Sequence, residues 1–371
     1  MQIAQIRAIP FALPLKQAFK TAHDTTQLRE LTLLEVTLSN GCVGYGEIQS
    51  FMNTAYAPET QVDSREMLAE VASGLKNFDW QHPSAIATYL AERTSLTFVR
   101  AAIEMACWDA YGKTIGTSLA AMLGAQRQSV PVGKAVGIQD DAAATIAEIE
   151  RLAKTGYQRA KLKLTDPEQL LDLSGLQQRY PQLVFSIDFN NALPDTDASY
   201  QMLQRLKNSG ITLVEEPLKG SPWQRYAAML TSGLVPKISL DESINGVADI
   251  ELALQQHVAN AFTLKQGKLG GITATQTAIE RINQAGQLPW IGGMLSSGLG
   301  RFVDVSLAAT LSDPIFPADI ATTQDGVIKD IINEPIVLHD GQVEVPQAPG
   351  IGVTLNWNAI RQMQVEPEQI Y

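Results

Sequence analysis

A chain of 371 residues, 45% of them hydrophobic, has length for two domains and a large core, and its formal net charge of −11 argues against a nucleic-acid partner, because phosphate binding needs a basic surface. A small anionic substrate stays open. No apolar run reaches roughly 18 residues and the start lacks a basic segment followed by an apolar one, which argues against a membrane span or export; Cys42 and Cys107 form no CxxC pair, which fits a reducing cytoplasm.

Residues 2–14 and 29–39 are alternating or β-rich runs. Ser39-Asn40-Gly41 is a turn signal leading into Cys42-Val43-Gly44-Tyr45-Gly46-Glu47, so an antiparallel meander is expected. Between about 60 and 124 a helical period takes over: Phe98, Ala102, Met105, Ala106 and Asp109 follow one face, and Gly112 and Gly116 punctuate its end. Residues 1–128 therefore read as an α+β unit.

From Pro131 onward strands and helices alternate strictly, the signature of parallel βαβ units. Strands are expected over 131–138, 157–164, 183–189, 212–217, 237–242, 261–266, 288–294 and 315–320, with helices such as 141–154, 198–208, 247–256 and 273–285 between them. Eight strands favour a (β/α)₈-type barrel over 129–320. A doubly wound sheet would instead place its ligand at one switch point. The remaining residues, 321–371, turn to short strands with Asp340-Gly341 as a hairpin signal, and are expected to pack back onto the first unit.

Charged residues recur at the ends of five successive strands: Lys163, Asp188, Glu215, Asp241 and Lys265, at intervals of 25, 27, 26 and 24 residues. A βα unit of such a barrel takes roughly 30 residues, and barrel active sites are built from the carboxyl ends of several strands. The series therefore reads as one site. Lys161 and Lys163 are two apart in a strand, so both point inward. Mutual repulsion and burial are expected to pull one of them from about 10.4 toward neutrality, where it could act as a base.

One carboxylate after a strand is explained by capping of the next helix. Three at module spacing, each followed by a further polar group (Asn190, Glu216, Glu242), are not. Oxygen donors without His or Cys suit a hard cation, Mg²⁺ by default. Glu215 and Glu216 face opposite sides of their strand, as do Asp241 and Glu242, and spacing does not choose between them. After Lys265, the sequence Gln266-Gly267-Lys268-Leu269-Gly270-Gly271 suggests a tight turn near ligand, without the order of a phosphate loop. Lys163 and Lys265 face each other across the mouth. In Trp290-Ile291-Gly292-Gly293-Met294 the glycines serve either close approach to a substrate carboxylate or barrel packing. His23, His82, His257 and His339 all fall outside the strand ends, against a histidine base.

With Lys161-x-Lys163, Asp188-Phe-Asn190, Val-Glu215-Glu-Pro217, Leu-Asp241-Glu-Ser and Lys265-Gln-Gly-Lys-Leu-Gly-Gly in this order, the chain resembles the enolase superfamily in its muconate-lactonizing subgroup, over nearly its whole length. The resemblance implies a modified (β/α)₇β barrel with an α+β capping domain. It implies Mg²⁺ on Asp188, Glu215 and Asp241, and Lys163 and Lys265 as acid/base groups. Asn190, Glu242 and Lys268 are expected just behind this set, with Lys161, Gly293, Met294, Phe19 and Met52 against a small carboxylate substrate. The loops Phe19–Ala22 and Gln49–Tyr56 would close over it. A homo-oligomer is compatible with this reading.

Within the subgroup, Trp290-Ile-Gly-Gly-Met-Leu-Ser-Ser-Gly-Leu-Gly-Arg301 and Val136-Gly-Ile-Gln-Asp140 resemble the o-succinylbenzoate synthases of menaquinone synthesis, which grade into N-succinylamino acid racemases. The Asp-x-Asp common in dipeptide epimerases is replaced by Asp319-Ile-Ala321. Lys268 stands where racemase-capable relatives often carry Arg, and the two differ in geometry. That departure tips the expectation toward dehydration.

Overall fold

A computed structural model of the chain describes residues 1–165, 173–313 and 315–371. Strands β1 (Ile3–Lys20), β2 (Thr25–Leu38) and β3 (Val43–Ile48) form the meander, and the short β13 (Gln369–Ile370) adds to the free edge of β1, giving the antiparallel order β13-β1-β2-β3. A register shift between Pro14 and Phe19 bends the β1–β2 hairpin. Its far end meets the second sheet, where Ile138 N–H donates to Lys20 O (2.9 Å).

The helix Thr97–Ile115 ends at Gly116 in the left-handed region, as its sequence predicts. Its packing differs from the expectation of one buried face. Ala101, Ile103, Glu104, Cys107, Trp108 and Ala110 are buried as well, because the helix is clamped from both sides. On one side Gly44 lets β3 approach so closely that a Cβ there would lie 2.0 Å from Ala106 O. On the other, Gly271 has φ +131° and a Cβ would lie 1.7 Å from Glu104 Oε2. Gly267, Gly270 and Gly271, after Lys265, pack against Phe98, Arg100 and Glu104 of this helix and are not on the wall of the cavity described below. Gly271→Ala adds overpacking to backbone strain, and should lower unfolding free energy by about 2 to 4 kcal/mol. A urea titration that finds a loss below roughly 0.5 kcal/mol would contradict this packing account.

Strands β4 (Ser129–Val136), β5 (Arg159–Lys163), β6 (Val184–Asp188), β7 (Leu213–Glu215), β8 (Ile238–Leu240), β9 (Ala261–Leu264), β10 (Leu288–Ile291) and β11 (Ala318–Asp319) form a curled parallel sheet in the order β10-β9-β8-β7-β6-β5-β4-β11. Seven of the eight lie within the stretches the sequence predicts, and β4 overlaps its own but begins earlier, at Ser129. Among the described residues no ladder joins β10 to β11. The seam is spanned by side chains, Trp290 meeting Phe316 edge-on at 5.5 Å.

The predicted helices appear as Ala142–Thr155, Asp197–Lys207, Val247–Gln255 and Ile272–Gln284. The helices Trp223–Thr231 and Gly298–Ala308 also form. The latter is buried at every residue, so it carries no apolar and polar faces from which a period could be read. Strand β12 (Gln342–Glu344) pairs antiparallel with β4. Among the described residues no helix is long and apolar enough to cross a membrane.

Glu47, at the end of β3, meets the N-terminal end of the helix Gly298–Ala308, where its carboxylate accepts from Ser297 N–H (3.3 Å) and Ser297 Oγ. Burial, reinforced by nearby Asp330, pushes its pKa from 4.5 up to about 7 despite those bonds and Arg29. Because the folded value is the higher one, the folded protein binds more protons than the unfolded chain between these limits, so this group's contribution to stability falls as pH rises through that window. Glu47→Gln should remove a pH-dependent penalty on the order of 3 kcal/mol between pH 4.5 and 7, gaining on wild type as pH rises. Chemical denaturation at several pH values reads this directly. A stability difference that stays constant with pH would refute it.

Candidate active site

The parallel register sets the first row of the site. Lys163 pairs with Asp188 across β5 and β6, and Asp188 with Glu215 across β6 and β7, so three strand ends carry their charges at one level. Asp241 follows the end of β8, and Lys265 the end of β9. All five side chains are buried.

Each carboxylate is met by an ammonium group. Lys163 Nζ donates to Asp188 Oδ2 (2.6 Å) and Asn190 Oδ1 (2.7 Å). Lys161 Nζ lies 3.2 Å from Asp188 Oδ2, 3.1 Å from Glu215 Oε1 and 3.0 Å from Asp319 Oδ2. Lys265 Nζ donates to Asp241 Oδ2 (2.7 Å) and to Tyr56 OH (2.8 Å). The expectation that the Lys-x-Lys pair pulls an ammonium toward neutrality is corrected for Lys161. Burial lowers its proton affinity, but Asp319, Glu215 and Asp188 outweigh it and hold it well above the usual lysine value.

The two adjacent-carboxylate ambiguities resolve differently. Glu216, at φ 35°, turns behind the site and accepts from Asp241 N–H (3.0 Å), Ser243 N–H (2.9 Å) and Ser221 Oγ (2.7 Å), so it braces the loops while Glu215 faces Lys161. Glu242 stays beside Asp241 at the cavity floor: its Oε1 accepts from Asn190 Nδ2 (2.8 Å), and its buried Oε2 has no partner among the described residues. Lys268 Nζ donates to the backbone carbonyls of Asp241 (2.6 Å) and Glu242 (2.9 Å), holding the loop that carries them.

Sequence spacing led to the expectation that the three carboxylates converge on one point. Among the described residues no group of three His, Cys, Asp or Glu side chains lies close enough to hold a metal ion, the lysines standing between them. The donor chemistry nevertheless fits a hard divalent cation. Burial, then Asp188 and Asp241, drive the proton affinity of Glu215 well up. Burial, then Asp241 and Asp188, push Glu242 to about 8. Buried, mutually repelling oxygen donors with one acceptor unpartnered are what such a cation relieves.

A cavity of about 190 Å³ opens above the row. Lys161, Lys163, Asn190, Glu242 and Lys265 form its floor, and Gly293, Met294, Phe19 and Tyr56 stand on its walls. Gly293 also packs against the neighbouring strand, a Cβ there lying 2.8 Å from Asp319 O. Met52 is 43% exposed and is not on the cavity wall, its neighbours Phe51 and Asn53 being there instead. The fully buried Arg29 ties that loop down: its guanidinium donates to Ser50 O (2.9 Å) and stacks over the Phe51 ring (3.8 Å).

The expectations above give Asp319 and His23 no place at the cavity, and include Tyr56 only as the end of the loop Gln49–Tyr56. Asp319 ends β11 and pairs with Lys161 and Arg159. It continues the pattern of a carboxylate closing a barrel strand, and extending the series to the eighth strand would have found it. His23 and Tyr56 come from turns outside the barrel. His23 was set aside for lying far from any strand end, yet it stands on the cavity wall and donates from Nε2 to Asn190 O (2.7 Å).

Residues 144–359 match the family model described as enolase C-terminal domain-like, and residues 4–124 that of the mandelate racemase / muconate lactonizing enzyme N-terminal domain. The chain is 32% identical to an o-succinylbenzoate synthase of Enterococcus faecalis over 359 residues, 96% of each chain. It is 30% identical to an N-succinylamino acid racemase of Thermus thermophilus over 356 residues, 96% of this chain and 95% of that one. Among solved structures, an enolase superfamily member from Listeria innocua superposes with a TM-score of 0.93 at 27% identity, covering 100% of this chain and 99% of that one. The muconate lactonizing enzyme of Pseudomonas fluorescens gives 0.89 at 25% identity, covering 98% and 99%.

Proposed function

Because the chain belongs to the enolase superfamily, in its mandelate racemase and muconate lactonizing branch, we propose that it is an o-succinylbenzoate synthase: a lyase dehydrating 2-succinyl-6-hydroxy-2,4-cyclohexadiene-1-carboxylate in menaquinone synthesis. The observation that carries this is the row of buried carboxylates between Lys163 and Lys265 under one cavity. Several relatives carrying that name at about 30% identity support the choice within the superfamily. A cytoplasmic setting goes with it, both cysteines being free.

Asp188, Glu215 and Asp241 would hold Mg²⁺, which when bound supplies positive charge beside the substrate carboxylate and lowers the cost of building negative charge there. Lys163 takes the proton α to that carboxylate. The ring hydroxyl on the same face then leaves as water, receiving that proton from Lys163, and the ring becomes aromatic. Lys265, on the other face and held by Asp241, stays protonated and stabilises the anion as a cation. Lys161 is the fixed charge that keeps Asp188, Glu215 and Asp319 together.

Incubated with Mg²⁺ and the cyclohexadiene substrate, the protein should convert its absorbance to that of the aromatic product. No conversion above the uncatalysed rate would reject the assignment. The second reading is an N-succinylamino acid racemase, alone or in the same enzyme, favoured by the two lysines on opposite faces and by the Thermus relative. It requires deuterium exchange at Cα of N-succinyl amino acids.

A further inference from the structure

We infer that two turns of the antiparallel-sheet domain each position one of the two lysines: the β1–β2 turn acts through Asn190 on Lys163, and the segment after β3 acts through Tyr56 on Lys265. This rests on the two-lysine reading above. At the first turn, His23 Nε2 donates to Asn190 O (2.7 Å). Asn190 has φ 45°, in the left-handed region that Asn adopts more readily than other non-glycine residues because its short side chain bonds locally. Its side-chain oxygen accepts from Lys163 Nζ (2.7 Å), its side-chain amide donates to Glu242 Oε1 (2.8 Å) and its N–H donates to Asp188 Oδ1 (2.9 Å). Asn190 therefore transmits the position of the turn to Lys163.

At the second, Tyr56 OH donates to Asp241 Oδ1 (2.7 Å) and accepts from Lys265 Nζ (2.8 Å). Its ring centroid is 4.6 Å from Lys265 Nζ and 4.9 Å from Lys268 Nζ, within the range of cation–π attraction. Phe51 meets that ring edge-on at 5.8 Å and is itself covered by the buried Arg29. Tyr56 is thus anchored from behind and hydrogen-bonded in front to Lys265 and Asp241. The two paths reach the two lysines through different residues, and the turns themselves meet where Asn53 Nδ2 donates to Asp24 Oδ2 (3.0 Å), so each lysine is bonded by the path of one turn. His23 and Tyr56 are positioning residues.

The test is deuterium exchange at Cα, followed by NMR in D₂O with Mg²⁺, of the two enantiomers of N-succinylphenylalanine. Lys163→Ala and Lys265→Ala identify which enantiomer each lysine serves. His23→Phe should slow exchange of the Lys163 enantiomer roughly tenfold and the other by less than about twofold, and Tyr56→Phe should do the reverse. His23→Gln, which keeps a side-chain donor, should recover most of the loss. Equal slowing of both enantiomers by either variant, with or without a lower melting temperature, marks a general structural role and overturns the inference, as does no slowing. If the wild type exchanges neither enantiomer, the racemase reading, in which both lysines exchange protons, fails first and takes this inference with it. Selective loss with each lysine variant but none with His23→Phe or Tyr56→Phe rejects the inference and leaves that reading standing.

Discussion

Lys163→Ala is expected to lower the dehydration rate by about 10³-fold or more, because the same lysine serves as base, in its neutral amine form, in the first half of the proposed reaction and as acid, in the ammonium form so produced, in the second. The fold should survive. Asp188 loses its 2.6 Å partner but keeps Lys161 at 3.2 Å and the Asn190 N–H at 2.9 Å, so no unpaired charge is left in the interior. Circular dichroism and a thermal melt establish that the variant is folded, and product formation under excess enzyme then measures the chemical step. A rate within about tenfold of wild type would remove Lys163 from the reaction.

Removal of divalent metal is the second large effect. After dialysis against EDTA the protein should be inactive, and Mg²⁺ should restore it. Mg²⁺ should also raise thermal stability, by about 2.7 kcal/mol when present at 100 times its dissociation constant. The metal-free protein remains folded because the lysines already balance the carboxylates. Asp241→Asn should abolish both responses. It removes one negative charge from the donor set, and leaves Lys265 to Tyr56 alone, so substrate exchange at the Lys265 face should fall with it. Binding of Mn²⁺, followed by electron paramagnetic resonance, separates the metal from the chemistry. Unchanged Mn²⁺ affinity in Asp241→Asn would eliminate this residue as a ligand.

The barrel was legible because a parallel strand ending in a charge recurs at a nearly constant interval, and each of the eight strands falls within or overlaps its predicted stretch. Lys163, Asp188 and Glu215 meet because the register aligns them, a relation spacing can suggest. What stayed hidden had no period to show. The helix Gly298–Ala308 is buried all round, and the helix Thr97–Ile115 nearly so, so neither burial pattern could be read from one apolar stripe. Tyr56 and His23 reach the cavity from turns whose direction depends on the bulge in β1 and on Arg29 beneath Phe51, contacts between segments far apart in sequence. For Lys161 the expected pull toward neutrality is reversed for a similar reason: three carboxylates from three other strands surround it.

The seam between β10 and β11 works as an expansion joint. Elsewhere the circumference of the sheet is dictated by hydrogen-bonded ladders, whose spacing of about 4.8 Å no substitution can change. Here it is dictated by the bulk of Trp290, Phe316 and the Gly293–Asp319 contact. The girth of the sheet is therefore adjustable there one side chain at a time without altering the backbone pairing, and because the Trp290 ring centroid lies 5.3 Å from Lys161 Nζ and Asp319 pairs with that lysine, a change of girth is felt by the row of charges.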